Sequence, residues 1–191
     1  MTWLPGYLVM GRGFSLIKTG WFAMVPYLVC IATIPLGGYI SDLWTKTRGS
    51  NFGRRIPIVI GFAGCGIFLI LGAYTPNAYV AVLYMALSIG ALGFSYGAFW
   101  GAPITISPKD SGVIGGVLNT LGTLAGVFAP AITGFIVTAS NNKFENALYF
   151  GASLAFVGII FLLTIVKIKP ILQNDTDVCT TNNNMSATLS K

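Results

Sequence analysis

Two long stretches of this chain contain no charged residue, and they constrain its fold more than any other feature. The first covers 23 residues from Thr19 to Ser41, and the second covers 53 residues from Ile56 to Pro108. A helix needs about 20 mostly apolar residues to cross the hydrocarbon core of a bilayer. The first stretch is therefore long enough for one membrane-spanning helix and the second for two, which predicts an all-α integral membrane protein.

Breaks in this pattern predict five complete spans, at about 19–43, 56–74, 78–104, 112–138 and 146–166. Residues Thr2 to Met10 are apolar but cover less than half a span, so we interpret them as the end of a helix whose beginning is absent. Proline and polar residues at 75–77 and 107–110 are strong signals for helix breaks. Residues 1–170 are thus predicted to form one transmembrane bundle, and the polar residues 171–191 a disordered tail.

The basic residues are divided unequally between the two sides of the predicted membrane. One side collects eight Lys and Arg residues and the other collects three. Because cytoplasmic loops carry the excess of positive charge, the segments 44–55 and 105–111 and the C-terminus are predicted to be cytoplasmic. We interpret 44–55 as a loop that joins the first two spans.

The composition excludes several classes of protein. Only 8% of the residues are charged, against roughly 25% in soluble domains. The net charge of +6 does not indicate a nucleic-acid partner, because the basic residues lie between spans or after the last one. The chain has no histidine, and its three cysteines lack the spacing of metal ligands. No metal, no cofactor and no enzyme active site is predicted.

Small residues recur along the third and fourth spans. Gly93, Gly97 and Gly101 are four residues apart, as are Gly122 and Gly126, so each set lies on one face of its helix. Such smooth faces favour close helix packing. They also suit helices that must slide or rock against each other, and the two interpretations are compatible.

Asn119 is the polar residue that stands out in the fourth span. A carboxamide in hydrocarbon is costly unless it finds partners, so it should face a neighbouring helix or a watery cavity. Thr123 lies one turn further along the same helix, while Trp100, Tyr96 and Ser95 place hydrogen-bonding groups in the preceding span. These residues are candidates for lining the path of a polar solute, and the alternative is that they join helices structurally.

Charged residues flank the junction of the first two spans. Asp42 ends the first span, and Arg54 and Arg55 begin the second. A carboxylate here can pair with a guanidinium and can also favour the positive N-terminal end of the helix that begins near Gly112. If these contacts form in only one conformation, they act as a conformational latch; if they persist, they form a solvated surface pair of little energetic value.

Two segments carry a family resemblance. Residues 38–42, with the basic residues that end in Gly53-Arg54-Arg55, resemble the motif between helices eight and nine of the major facilitator superfamily. The segment 107–130, with Asn119 and Gly126, resembles the eleventh-helix region of the anion:cation symporter family. The opening residues 3–15 are similar to the end of that family's seventh helix.

This resemblance covers residues 2–170 and implies the C-terminal half of a twelve-helix transporter. It implies symport of a small organic anion, such as a carboxylate or sugar acid, with H⁺ or Na⁺ by alternating access. The partner would be the missing N-terminal six-helix half, which supplies the acidic coupling residues in this family. The membrane would be a bacterial inner membrane or a eukaryotic plasma or organelle membrane. The alternative is a non-transporting remnant or one subunit of a split transporter.

The resemblance also implies roles for individual residues. Substrate contacts would come from Asn119, Trp100, Tyr96, Ser95 and Thr123, and the latch from Gly38, Asp42, Arg54 and Arg55. Members of the sugar-acid branch often have a second Asn at the position of Thr123, whereas the eukaryotic organic-anion branch often has Thr. The sequence therefore does not narrow the substrate to a sugar acid.

Overall fold

The computed structural model describes residues 6, 8–9, 13, 15–140, 144–166 and 168, and within these ranges it contains helices and no strand. Five of these helices are long and apolar enough to cross a membrane. They are α1 (Leu16–Arg48), α2 (Ser50–Tyr74), α3 (Ala78–Ile106), α4 (Ser111–Ala139) and α5 (Phe144–Thr164). The prediction of an all-α fold with five complete spans is confirmed.

The prediction of a loop over residues 44–55 is wrong. α1 continues to Arg48 and α2 begins at Ser50, so that only Gly49 separates the two helices. Gly49 has a φ of 88°, a value that favours glycine over residues with a Cβ. The loss of apolar character marks where the bilayer core ends, whereas lysine and arginine are good helix formers that extend a helix into water.

The other helix ends lie close to their predicted positions. Helical structure stops at residues 75–77 and again at 107–110, as the break signals predicted. α5 begins two residues earlier than predicted, and ends two residues earlier. Among the opening residues, Gly6, Leu8 and Val9 have helical backbone, in agreement with the end of a helix. The predicted tail, 171–191, lies outside the described residues.

α3 lies at the centre of the bundle, and α4 lies at its edge. Eleven residues of α3 are buried, and this helix packs extensively against α1 and α2. α5 packs mainly on α2. In α4 the one buried residue is Val137, although the helix is 29 residues long. Nearly the whole surface of α4 is therefore open to lipid, to water or to further protein.

Glycines bring α1 and α3 into contact at the level of their backbones. A Cβ added to Gly37 would meet the Phe94 carbonyl group, and one added to Gly97 would meet the backbone of Gly38. A Cβ at Gly93 would lie 2.8 Å from Oγ1 of Thr33 in α1. The predicted close packing through the glycine face of the third span is confirmed, because small residues let helix backbones approach in lipid.

A polar contact holds the end of α5 against the start of α2. The Arg55 Nη2 donates to the carbonyl oxygens of Leu162 and Leu163, at 2.8 Å and 2.6 Å. These carbonyls lie in the last turn of α5, where no further N–H of the helix is available to them. The backbone N–H of Ile168 donates to the Asn51 side chain at 3.0 Å. Arg55 thus caps the C-terminus of α5 from a neighbouring helix.

Replacing Gly37 by alanine is expected to lower the free energy of unfolding of the chain in detergent micelles by about 1–3 kcal/mol, the usual cost of overpacking. The added Cβ would meet backbone atoms of Phe94, which cannot move aside as a side chain can. The matched control is Gly20→Ala in the same helix, where the Cβ would have no atom within 4 Å. Denaturant titration followed by circular dichroism measures both, and equal effects would contradict the backbone contact.

Candidate functional site

The predicted pair between the first two spans is present at the α1–α2 junction. The Arg54 Nη1 lies 2.7 Å from the Asp42 Oδ1. The two side chains differ in burial, since 60% of the Asp42 side chain is exposed and only 12% of the Arg54 side chain. The carboxylate thus lies on the solvent side of the pair, and the guanidinium lies between helices.

Two hydroxyl groups complete the surroundings of Arg54. Its Nη1 donates to the Ser41 Oγ at 3.0 Å, and its Nε donates to the Thr105 Oγ1 at 3.1 Å. Each hydroxyl in turn donates to a backbone carbonyl: Ser41 to Gly53 and Thr105 to Gly101. Because both hydroxyl protons are committed, both oxygens present lone pairs to the guanidinium. Arg54 therefore joins the ends of α1, α2 and α3.

The other two residues of the predicted latch lie elsewhere. Arg55 contacts the end of α5, as described above, and Gly38 packs against Gly97. The extensively packed helix pairs do not include α1 with α4. An effect of Asp42 on the N-terminus of α4 stays a prediction.

Asn119 and Thr123 lie on the open surface of α4, and both are exposed. The Thr123 hydroxyl donates to the Asn119 carbonyl at 2.8 Å. The Asn119 carboxamide makes no hydrogen bond within the described part of the chain, and its role, in lining a solute path or in joining helices, stays a prediction. It is free to contact water, a solute or further protein.

The three candidates in α3 point in two directions. Tyr96 and Trp100 are 48% and 45% exposed, and they lie one helical turn apart on one face. Ser95 is buried instead. Its hydroxyl donates to the Leu92 carbonyl. A Cβ added to Gly61 of α2 would lie 2.7 Å from the Ser95 Cβ. The structure therefore places Ser95 in helix packing, away from the face of Tyr96 and Trp100.

A cavity of about 690 Å³ separates α4 from the rest of the bundle. Residues of all five helices line it, among them Cys65, Met85, Tyr96, Phe128 and Leu148. Asn119 and Thr123 are not among the lining residues. The described lining residues include no lysine or arginine, and within the described ranges no group of His, Cys, Asp or Glu could hold a metal ion.

The polar groups on these walls are almost all engaged. Ser88 and Cys65 contact each other at 3.1 Å, Cys30 donates to the Ile89 carbonyl, and Thr133 donates to the Ala129 carbonyl. A carboxylate placed here would meet no cation among the described lining residues. The cavity therefore suits an apolar occupant far better than an anion.

Leu8 lies at one end of this cavity. It is fully buried in a cluster with Ala73, Val82, Met85 and Leu148, two of which also line the cavity. The helical residues 6, 8 and 9 thus enter the bundle where the cavity ends.

Sequence reasoning missed Ser41, Thr105 and Gly101 as members of the Arg54 site. Ser41 precedes Asp42 in the motif, so its position was a usable signal. Thr105 and Gly101 lie about 50 residues away in sequence, and no local pattern indicates that α3 ends beside Arg54.

The chain is similar in sequence to known proteins along most of its length. Residues 1–178 match the family model of the Major Facilitator Superfamily. The chain is 37% identical over 177 residues to a probable galactarate/D-glucarate transporter, GudP, of Bacillus subtilis, which covers 90% of this chain and 38% of the relative. It is 30% identical over 176 residues to a probable sulfoacetate transporter, SauU, of Cupriavidus necator, covering 92% of this chain and 40% of the relative.

A third relative is the D-galactonate transporter of Escherichia coli O6:H1, which is 30% identical over 172 residues, covering 87% of this chain and 38% of the relative. The chain thus spans about two-fifths of the length of these relatives. The match to the family model extends over nearly all of the chain, and five helices of membrane-spanning length lie within it. The chain is a multi-pass integral membrane protein and belongs to the Major Facilitator Superfamily.

Proposed function

We propose that this chain is the C-terminal half of a secondary active transporter for a small organic anion, with no enzymatic activity of its own. The observation that carries the proposal is the similarity to organic-anion transporters along about 90% of this chain but only about 38–40% of their length. The missing partner is an N-terminal six-helix half, and the anion crosses between the two halves by alternating access.

The open side of the bundle supports this division. The cavity beside α4 is apolar, and Leu8 lies at its end as part of a helical segment. We infer that the upstream part of the helix containing Leu8 fills the cavity. The exposed polar residues of α4, together with Trp100, then face the second half, whereas Tyr96, which lines the cavity, lies beside the helix that fills it.

The relatives are named for galactarate, D-glucarate, D-galactonate and sulfoacetate, all of them anions at neutral pH. We propose a substrate of this class, with Asn119 as its hydrogen-bonding partner from this half. The described acidic residues, Asp42, Asp110 and Glu145, lie near helix ends. The group that couples transport to H⁺ or Na⁺ therefore belongs to the N-terminal half.

The Asp42–Arg54 pair supports the proposed conformational latch, with the α1–α2 junction on the cytoplasmic side. A pair that is half open to solvent can break and re-form at low energetic cost. This is what a switching contact requires.

Uptake of radiolabelled galactarate, D-glucarate, D-galactonate and sulfoacetate into proteoliposomes tests the function. We expect gradient-dependent uptake by the chain extended with its upstream coding sequence, and little or none by the 191 residues alone. Robust accumulation by the chain alone would contradict the half-transporter proposal. Absence of uptake by both forms, with both inserted in the membrane, would favour a non-transporting remnant.

In the extended transporter, Asp42→Asn is expected to lower the maximal uptake rate about two- to fivefold with little change in KM. The charge of a pair worth about 0.2–1 kcal/mol is lost, while the shape of the side chain is kept. Glu145→Gln, which removes an exposed carboxylate in the first turn of α5, is the matched control. Initial rates over a range of substrate concentrations measure both variants, and unchanged kinetics for Asp42→Asn would contradict the latch.

Asn119→Ala in the extended transporter is expected to raise KM about tenfold, the cost of roughly one lost hydrogen bond to a charged ligand. The control is Thr120→Val on a different face of α4, whose hydroxyl is engaged with the Gly116 carbonyl. The free energy of unfolding of the chain alone should change by less than about 0.5 kcal/mol, because Asn119 is exposed. A stability loss with unchanged KM would assign Asn119 to helix packing instead.

A further inference from the structure

Gly101 and Thr105 in α3 form a seat for the Arg54 guanidinium. A Cβ added to Gly101 would lie 2.5 Å from the Arg54 Nη1 and 2.7 Å from its Cζ. One helical turn later, the Thr105 Oγ1 accepts the hydrogen bond from Nε at 3.1 Å. Gly101 thus leaves room for the planar guanidinium on one side, and the Thr105 hydroxyl binds it on another.

The hydrogen bonds determine which group donates and which accepts in this contact. The Thr105 hydroxyl donates to the Gly101 carbonyl at 2.9 Å, so its oxygen can only accept from Arg54. On the other side, Ser41 of α1 is fully buried and has the same arrangement with the Gly53 carbonyl. Arg54 therefore reaches Asp42 with its position already set by α1 and α3.

The same face of α3 continues into the close contact with α1. Gly97, one turn before Gly101, meets Gly38 at the backbone level. Tyr96 and Trp100, the two exposed aromatic candidates for substrate contact, directly precede Gly97 and Gly101 along α3. The Arg54 seat and these candidate residues are thus parts of one helix.

We propose that Gly101 and Thr105 are positioning residues that tie α3 to Arg54, so that forming or breaking the Asp42–Arg54 pair between α1 and α2 is transmitted to α3. They act through Arg54 and not on the solute. The coupling to transport rests on the proposed function, whereas the seat itself is a property of the chain alone.

The seat is tested in the chain alone by a double-mutant cycle between residues 54 and 101. We expect Gly101→Ala to lower the denaturant midpoint, and to lower it several-fold less when Arg54→Lys is also present, because lysine lacks the guanidinium head that the new Cβ would meet. Gly20→Ala, whose Cβ has open space, is the control. Equal midpoint shifts in both backgrounds would overturn the seat.

The coupling is tested by uptake in the extended transporter. Thr105→Val should lower the maximal rate at unchanged KM, and Thr105→Ser should keep the normal rate because it keeps the hydroxyl. The double variant Thr105→Val/Asp42→Asn should be no slower than the slower of its two single variants. Additive losses, or a Thr105→Val variant with normal rates, would overturn the coupling. If the wild-type extended transporter takes up no anion, the proposed function fails, and the cycle in the chain alone still decides whether the seat exists.

Discussion

The close approach of α1 and α3 is the contact on which the rest of the bundle depends. In lipid, burying apolar side chains gives little driving force for helix association, so van der Waals packing between smooth helix faces supplies it. Gly37 and Gly38 meet Phe94 and Gly97 at the level of the backbone. Because this brings the ends of both helices beside the start of α2, a single side chain, Arg54, can reach Ser41 and Thr105 at once.

Adjacent arginines have separate tasks at this end of the molecule. Arg54 lies between α1 and α3, and Arg55, about 100° further round the helix, turns to α5 and caps its last carbonyls. A planar guanidinium has five N–H donors, so each arginine can satisfy several acceptors that would otherwise be unpaired. The contacts of Arg54 include an exposed carboxylate and are suited to switching. The contacts of Arg55 are with backbone acceptors and are suited to holding α5 in place.

The distribution of burial leaves one side of the bundle open. α3 is surrounded by its neighbours, but α4 stands beside an apolar cavity, and its glycines have open space around them. These six glycines of α4 would allow the close packing that the proposed N-terminal half requires. The relatives are more than twice as long as this chain, so they have residues to supply such a partner.

The spans and their breaks could be predicted because the bilayer imposes a length on uncharged helices, and proline and polar turns end them. That rule does not locate helix ends in water, and for this reason the helical residues of 44–55 were predicted as a loop. The Asp42–Arg54 pair was predictable because the two residues flank one short junction. Ser95 was placed with Tyr96 and Trp100 by sequence proximity, although a rotation of 100° per residue turns it into the packing with α2.

The amino-acid sequence by itself determined that this protein crosses a membrane as helices, where those helices lie along the chain, and to which superfamily it belongs. These properties follow from local composition, helical periodicity and short motifs. Only the tertiary structure decided that Arg54 is seated on Gly101 and Thr105, that Arg55 caps α5, and that α4 is left open. The hydrogen bonds among those contacts join residues from 51 to 108 positions apart, and their geometry depends on how the helices pack.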